Sequence, residues 1–372
     1  MIATVAPVPA VSLPSIRLQG DFALPAEFPL EAGGVLRGAT LRYAIYGEIN
    51  AARDNVVFVC HALSGSAEVA EWWPAVFGIS RGLSGASRGV VDPERDVVLG
   101  INILGSCYGS TGPSSINPET GRRYGREFPL VGIRDIVRAE VLLLDSLGIE
   151  RLKLTIGASI GGMQALQLAV DFPDRVARAI GIAAAPLGAM GLGLNHLQRQ
   201  AIELDPDYKD GEYLPDAPPR RGLGIARELA VCSYKSDELF AKRYARKPDR
   251  SGEDPWSGTG GRFDVAGYLD HQGEKFNSRF DANSYLAITR MMDLFDPVYG
   301  YKSQLAAYGR VKAAVTLVGI TSDWLFPAAD VRQLAEKLVA AGVSCDYKEL
   351  VSNHGHDAFL AEPEALMDLL RR

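Results

Sequence analysis

Five short runs along the chain are almost continuously apolar: Asn55–Cys60, Val97–Leu104, Leu152–Ile156, Val176–Ala183 and Ala314–Ile320. Runs of this length and continuity predict strands covered on both faces, as in a parallel sheet. Val343–Leu350 predicts one strand more. Between them the period changes. Ile133, Ile136, Val137, Val141, Leu144 and Leu147 fall on one helical face, and Gly148 ends the run. Further helices are expected over Gln164–Val170, over Ala328–Ala341 and in a short segment closing the chain. Upstream, Phe28–Tyr46 holds Gly33-Gly34 and an alternating Leu41–Tyr46, which predicts an antiparallel hairpin at a sheet edge.

Leu194 to about Ser303 breaks this rhythm. It has no strong strand and is rich in charge, with helical patches at His196–Leu204, Gly222–Tyr234, Asp237–Tyr244 and Asn283–Leu294. Arg246–Arg262 is polar and turn-rich. A mostly helical insertion between strands predicts a lid over a site. The expected division is a core over residues 1–184, in which 1–27 form a loose leader, a helical lid over 185–305, and the rest of the core over 306–372.

Composition narrows the classes. With 372 residues, 47% of them hydrophobic, the chain can bury one large core together with an insertion. Its net charge is −6 and it has no basic tail or stripe, which argues against a nucleic-acid partner. The most apolar window, Ala179–Leu194, is broken by Pro186 and four glycines, so no membrane span is expected. Met1–Pro14 has neither a charged start nor a continuous apolar stretch, unlike a signal peptide. Cys60, Cys107, Cys232 and Cys345 have no metal-ligand spacing and no disulfide pattern. Free thiols packed as small hydrophobes in a reducing, cytoplasmic compartment are the expectation, with no metal.

The chemistry gathers at Gly157-Ala158-Ser159-Ile160-Gly161, a G-x-S-x-G between a predicted strand and a predicted helix. On such a turn the serine is strained, its neighbours must be small, and its hydroxyl is exposed at a helix N-terminus. The same pattern recurs at Gly78–Gly82 and Gly85–Gly89, in a Gly/Ser/Arg-rich stretch with no strand before it. Those two copies read as loop. Gly105–Ser115, dense with turn formers, has no P-loop pattern and reads as a structural loop near the site. Trp72-Trp73 is expected to anchor a loop to the core.

Asp323 and His356 follow Ser159 in the order Ser, Asp, His, each in a loop just after a predicted strand. In a parallel sheet those loops share one edge. This chain order is that of α/β hydrolases, with serine as nucleophile, histidine as base and carboxylate as orienter. Backbone N–H groups of Leu63 and Ile160 are the candidate oxyanion donors. Ser322 competes with Asp323, either of which can cap the following helix. His354 competes with His356, which is favoured because Gly355–Phe359 reads as a turn entering a helix. His61, at a strand end, is expected to be a packed histidine.

Several longer motifs make the chain resemble the homoserine O-acyltransferases of the α/β-hydrolase superfamily. They are His61-Ala-Leu-Ser-Gly65, Asn102–Cys107, Gly109-Ser-Thr-Gly-Pro-Ser-Ser115, Asn117-Pro118, Phe128-Pro129, Ile133-Arg-Asp135, Gly161-Gly-Met-Gln164, Arg227 with Tyr234, and Gly355-His-Asp357. The match spans about Phe28 to the C-terminus. The resemblance implies an α/β-hydrolase fold and acyl transfer from acetyl-CoA to the hydroxyl of L-homoserine through an acyl-Ser159. It further implies that Arg227 holds the acceptor carboxylate, that Asp357 holds its ammonium, and that Tyr234 and Ser64 line the pocket. A homodimer through the lid is also implied. The chain departs from the family in Ala158-Ser159-Ile160, where Gly-Ser-Met is usual, and in Ser64, where Thr is usual. Succinyl-CoA as donor, serine as acceptor, and ester hydrolysis by the same triad remain alternatives. The Gly78–Gly89 stretch is a candidate for tuning that choice.

Overall fold

The structure is a computed structural model that describes residues 13–79, 89–92, 94–252 and 254–371. Most of the Gly78–Gly89 stretch, including Ser80 and Ser87, lies outside the described residues.

An eight-stranded sheet forms the centre, in the order β1-β4-β6-β5-β7-β8-β9-β10. Its strands are β1 (Leu18–Ala23), β4 (Thr40–Tyr46), β5 (Val56–Cys60), β6 (Val97–Ile101), β7 (Leu154–Ala158), β8 (Arg178–Ile182), β9 (Ala314–Ile320) and β10 (Cys345–Leu350). β2 (Glu27–Pro29) and β3 (Val35–Arg37) pair separately. From β6 to β10 every pairing is parallel, and β4 runs antiparallel to both its neighbours. Every residue of β5, β6 and β7 is buried, as their unbroken apolar runs require.

Two expectations at the N-terminus need correction. Leu18–Ala23 is not part of a loose leader: it is the edge strand β1, paired along its length with β4. Its sequence, Leu-Gln-Gly-Asp-Phe-Ala, is mostly exposed and holds residues disfavoured in strands, so the sequence signal is weak. Nor does Phe28–Tyr46 form one hairpin. Its first half pairs within the small β2–β3 sheet, and its second half, β4, pairs with β1 and β6.

Registers set the site. Cys60 pairs with both Ile101 and Gly157, Ala158 with Ile182, Ile182 with Val318, and Leu350 with Ile320. The carboxyl ends of the parallel strands are therefore level, and their loops emerge side by side.

The helices are α1 (Val69–Trp72), α2 (Ile133–Ser146), α3 (Ile160–Asp171), α4 (Ala189–Glu203), α5 (Arg220–Tyr234), α6 (Asp237–Arg243), α7 (Asp264–Asn277), α8 (Ala282–Asp293), α9 (Gln304–Tyr308), α10 (Ala328–Ala340), α11 (Ala358–Ala361) and α12 (Pro363–Arg371). α3 follows β7 and packs on β7 and β8, while α4 to α9 lie between β8 and β9 in the chain. α7 has no counterpart in the sequence reading. Gly267 and Gly273 interrupt its helical pattern. Gly273 is there for packing: a Cβ on it would lie 3.1 Å from Gly224 Cα of α5, so the pair of glycines lets α5 and α7 approach closely.

Candidate active site

Ser159 sits between β7 and α3 at φ 57° and ψ −131°, a conformation that non-glycine residues rarely adopt. Its N–H donates to the Ile182 carbonyl at 2.9 Å, and its own carbonyl accepts from Met163 N–H at 3.1 Å. The glycines around it are required by contact. A Cβ on Gly157 would collide with the Gly161 backbone, and one on Gly161 with the Cys60 carbonyl oxygen. Helix α3 can therefore lie against β5 and β7 only without side chains there. The turn presents Ser159 at the start of α3, where Ile160 is the first helical residue and its N–H has no partner inside the helix.

His356 Nδ1 lies 2.7 Å from Asp323 Oδ2. The other carboxylate oxygen, Asp323 Oδ1, accepts from the N–H groups of Leu325 and Phe326, each at 2.9 Å. The Asp323 side chain is fully buried and that of His356 nearly so. The imidazole stacks on Phe326 with centroids 5.2 Å apart and meets Tyr234 and Phe359 at 5.3 and 5.9 Å. The competing residues have other partners. Ser322 Oγ accepts from Gly355 N–H at 2.9 Å, and His354 Nε2 faces Glu362 at 3.7 Å.

Ser159 and His356 line one cavity of about 800 Å³ together with Leu63, Ser64, Arg227, Tyr234 and Asp357. Helix α5 forms one wall. Its last turn touches the histidine loop so closely that a Cβ on Gly355 (φ 62°) would lie 2.6 Å from the Tyr234 carbonyl oxygen. The Arg227 guanidinium is half-buried, 5.6 Å above the Tyr234 ring and 5.1 Å above that of Phe276. Among the described residues no carboxylate pairs with it, so its charge faces the cavity. Burial pushes the Tyr234 phenol up to about 12, so it stays neutral. Asp357 has a resident cation, Lys235 Nζ, at 2.7 Å from Oδ2.

His61 is fully buried and burial lowers it to about 4. Its Nε2 accepts from Ile103 N–H at 3.0 Å while Nδ1 meets the Ala62 carbonyl at 2.8 Å. It therefore ties the end of β5 to the loop after β6, as a packed histidine. The tryptophans divide: Trp73 is buried and donates to the Phe359 carbonyl, whereas Trp72 lines the cavity. Tyr108, Lys275 and Arg279 also line the cavity and were not singled out from the sequence. Lys275 and Arg279 come at or after the end of α7, the helix that the glycines conceal.

A strained serine at a strand–helix turn, and a buried histidine–carboxylate pair at the same edge of a parallel sheet, define an enzyme of the α/β-hydrolase class. The family model described as "alpha/beta hydrolase fold" matches residues 55–363. A homoserine O-acetyltransferase of Geobacter metallireducens is 40% identical over 356 residues, covering 93% of each chain. The crystal structure of homoserine O-acetyltransferase from Bacillus anthracis superposes with a TM-score of 0.85 at 25% identity, over 95% of this chain and 98% of that one. The structure of esterase E22, at TM-score 0.80 and 24% identity over 95% and 99% of the two chains, shares the fold. The chain belongs to the homoserine O-acetyltransferase family.

Proposed function

We propose that the protein transfers an acetyl group from acetyl-CoA to the side-chain hydroxyl of L-homoserine, yielding CoA and O-acetyl-L-homoserine for methionine synthesis. Ser159 Oγ attacks the thioester carbonyl as His356 takes its proton. The oxyanion is met by the N–H groups of Leu63 and Ile160. The C–S bond breaks, the thiolate leaves with the proton from His356, and acetyl-Ser159 remains. The homoserine hydroxyl then attacks this ester, passing its proton to His356. Ser159 leaves and regains that proton. Asp323 fixes the tautomer of His356 throughout. Arg227 holds the acceptor carboxylate, with Tyr234 beneath it. Asp357 Oδ1, the oxygen not paired with Lys235, holds the ammonium, and Ser64 lines the pocket.

The supporting observation is the Arg227 guanidinium, which pairs with no carboxylate among the described residues, in the same cavity as Ser159, His356 and Asp357. Plain ester hydrolysis needs no such clamp for an amino acid. The fold alone does not separate the two activities, since an esterase shares it.

Thiol release from acetyl-CoA and succinyl-CoA, each with no acceptor, with homoserine and with serine, tests the reading. Acetyl-CoA with homoserine should stand out. Equal release without acceptor would make the protein a hydrolase.

We also infer a homodimer through the lid. Met190, Leu197 and Leu204 recur every seven residues along α4 and at its end, and all three are exposed. The four free cysteines suit a cytoplasmic location. Among the described residues no helix is long and apolar enough to cross a membrane. Light scattering of the purified protein reads the dimer directly.

A further inference from the structure

Arg279 lies in the short link between α7 and α8, and its guanidinium crosses the cavity to the loop after β5. Nη1 donates to the Ser64 carbonyl at 3.1 Å and to Tyr108 Oη at 2.9 Å, and Nη2 donates to Ser64 Oγ at 3.4 Å. Its backbone is anchored. Phe276 and Phe280 flank it in sequence, stack at 4.9 Å and are both buried. Phe280 also meets the Tyr108 ring edge-on at 5.7 Å. The guanidinium itself rests 5.2 Å over the Phe276 ring, which Arg227 also covers. All three acceptors are neutral, and no carboxylate lies within ion-pair distance of Arg279 among the described residues.

Ser64 immediately follows Leu63, the candidate oxyanion donor. The peptide group whose oxygen Arg279 holds therefore begins one residue beyond that donor's own N–H. The loop is fixed from below by the bonds of His61 to Ile103 and Ala62. From above, Arg279 supplies bonds from its fork to Ser64. We propose that Arg279 is a positioning residue that clamps the Ala62–Ser64 loop from the lid and so aims the Leu63 N–H at the developing oxyanion. Half of the oxyanion hole then depends on a lid residue, while the Ile160 half is built into the core. The inference rests on Leu63 serving as an oxyanion donor, but not on the identity of the acyl acceptor.

The test uses p-nitrophenyl acetate, whose cleavage by Ser159 needs the oxyanion hole but neither CoA nor homoserine. Removing one oxyanion donor outright costs roughly a hundred- to a thousandfold in kcat. Loss of its support in Arg279→Met should lower kcat for this ester about ten- to a hundredfold with KM little changed. Binding of a trifluoromethyl ketone, whose adduct places an oxyanion in the hole, should weaken by the same factor. Arg279→Lys keeps the charge but loses the fork and should not restore the rate. Should Arg279→Met fail to fold, Tyr108→Phe removes one acceptor of the fork and should give a smaller loss in the same two quantities. Unchanged kcat and ketone affinity, or full rescue by lysine, would overturn the clamp. A loss confined to KM for acyl-CoA or homoserine would also overturn it, making Arg279 a substrate contact. If homoserine proves not to be the acceptor, the ester assay still decides this point.

Discussion

Asp323 divides its two carboxylate oxygens: Oδ2 meets His356 Nδ1 at 2.7 Å, and Oδ1 takes two backbone N–H groups, Leu325 and Phe326, at the start of the next turn. The expected cap on the following helix is not formed: α10 begins after Pro327 with no side-chain cap, and Asp323 Oδ1 instead braces the turn that precedes it. Asp323→Asn keeps the size but can present an amide N–H to His356, which selects the wrong tautomer. A loss of kcat of about ten-thousandfold is expected, with the fold retained, as measured by steady-state kinetics beside circular dichroism. A loss under tenfold would remove Asp323 from the triad.

Arg227 should act on the acceptor alone. Replacing it by methionine keeps the bulk against Tyr234 and Phe276 but removes the charge. KM for homoserine should rise roughly ten- to a hundredfold, the value of a charge-assisted pair, while cleavage of p-nitrophenyl acetate stays near wild type. An equal loss in both assays would mean that Arg227 shapes the site instead of binding substrate.

Gly161 tests the packing behind the nucleophile. Gly161→Ala puts a methyl into the Cys60 carbonyl oxygen, and backbone cannot yield as a side-chain end can. More than about 4 kcal/mol of stability should be lost, read as insoluble expression or a collapsed melting temperature. A variant that folds and melts like wild type would contradict the close approach of α3 to β5.

Glu140 of α2 gives a pH signature. It is fully buried, and neither carboxylate oxygen has a hydrogen-bond partner among the described residues. Burial raises its pKa well above the usual range. Between the unfolded and folded pKa values the folded protein therefore holds one more proton than the unfolded chain. Its contribution is present at low pH and is lost as pH rises, by about 1.4 kcal/mol per unit. Urea unfolding at pH 5 and pH 7 should show wild type losing stability relative to Glu140→Gln over that interval. Parallel behaviour would show that Glu140 ionises freely.

The strand core was legible because parallel strands buried on both faces leave near-continuous apolar runs; β9 was read residue for residue from Ala314 to Ile320. Ser159, Asp323 and His356 could be singled out because each lies in a loop that follows a predicted strand, although the last of those strands, β10, is polar and only partly buried. The edge strand β1 was not legible, since its residues are mostly exposed and include Gly20 and Asp21. Helix α7 was hidden by Gly267 and Gly273, of which Gly273 makes room for α5 and Gly267 for the Asp249 side chain, and with it went Lys275 and Arg279. The ion pair between Lys235 and Asp357 was equally out of reach. Residues 122 positions apart meet only because the end of α5 packs on the histidine loop, and no spacing rule records that.

The central claim is an acetyl group carried on Ser159 and released by homoserine. Intact-protein mass spectrometry after mixing with acetyl-CoA alone should show one added acetyl group, mapped by peptide digestion to Ser159 and absent in Ser159→Ala. Adding homoserine should clear it rapidly and yield O-acetyl-L-homoserine. An enzyme never acetylated, or one whose acetyl group is lost at the same rate with and without homoserine, would contradict the account.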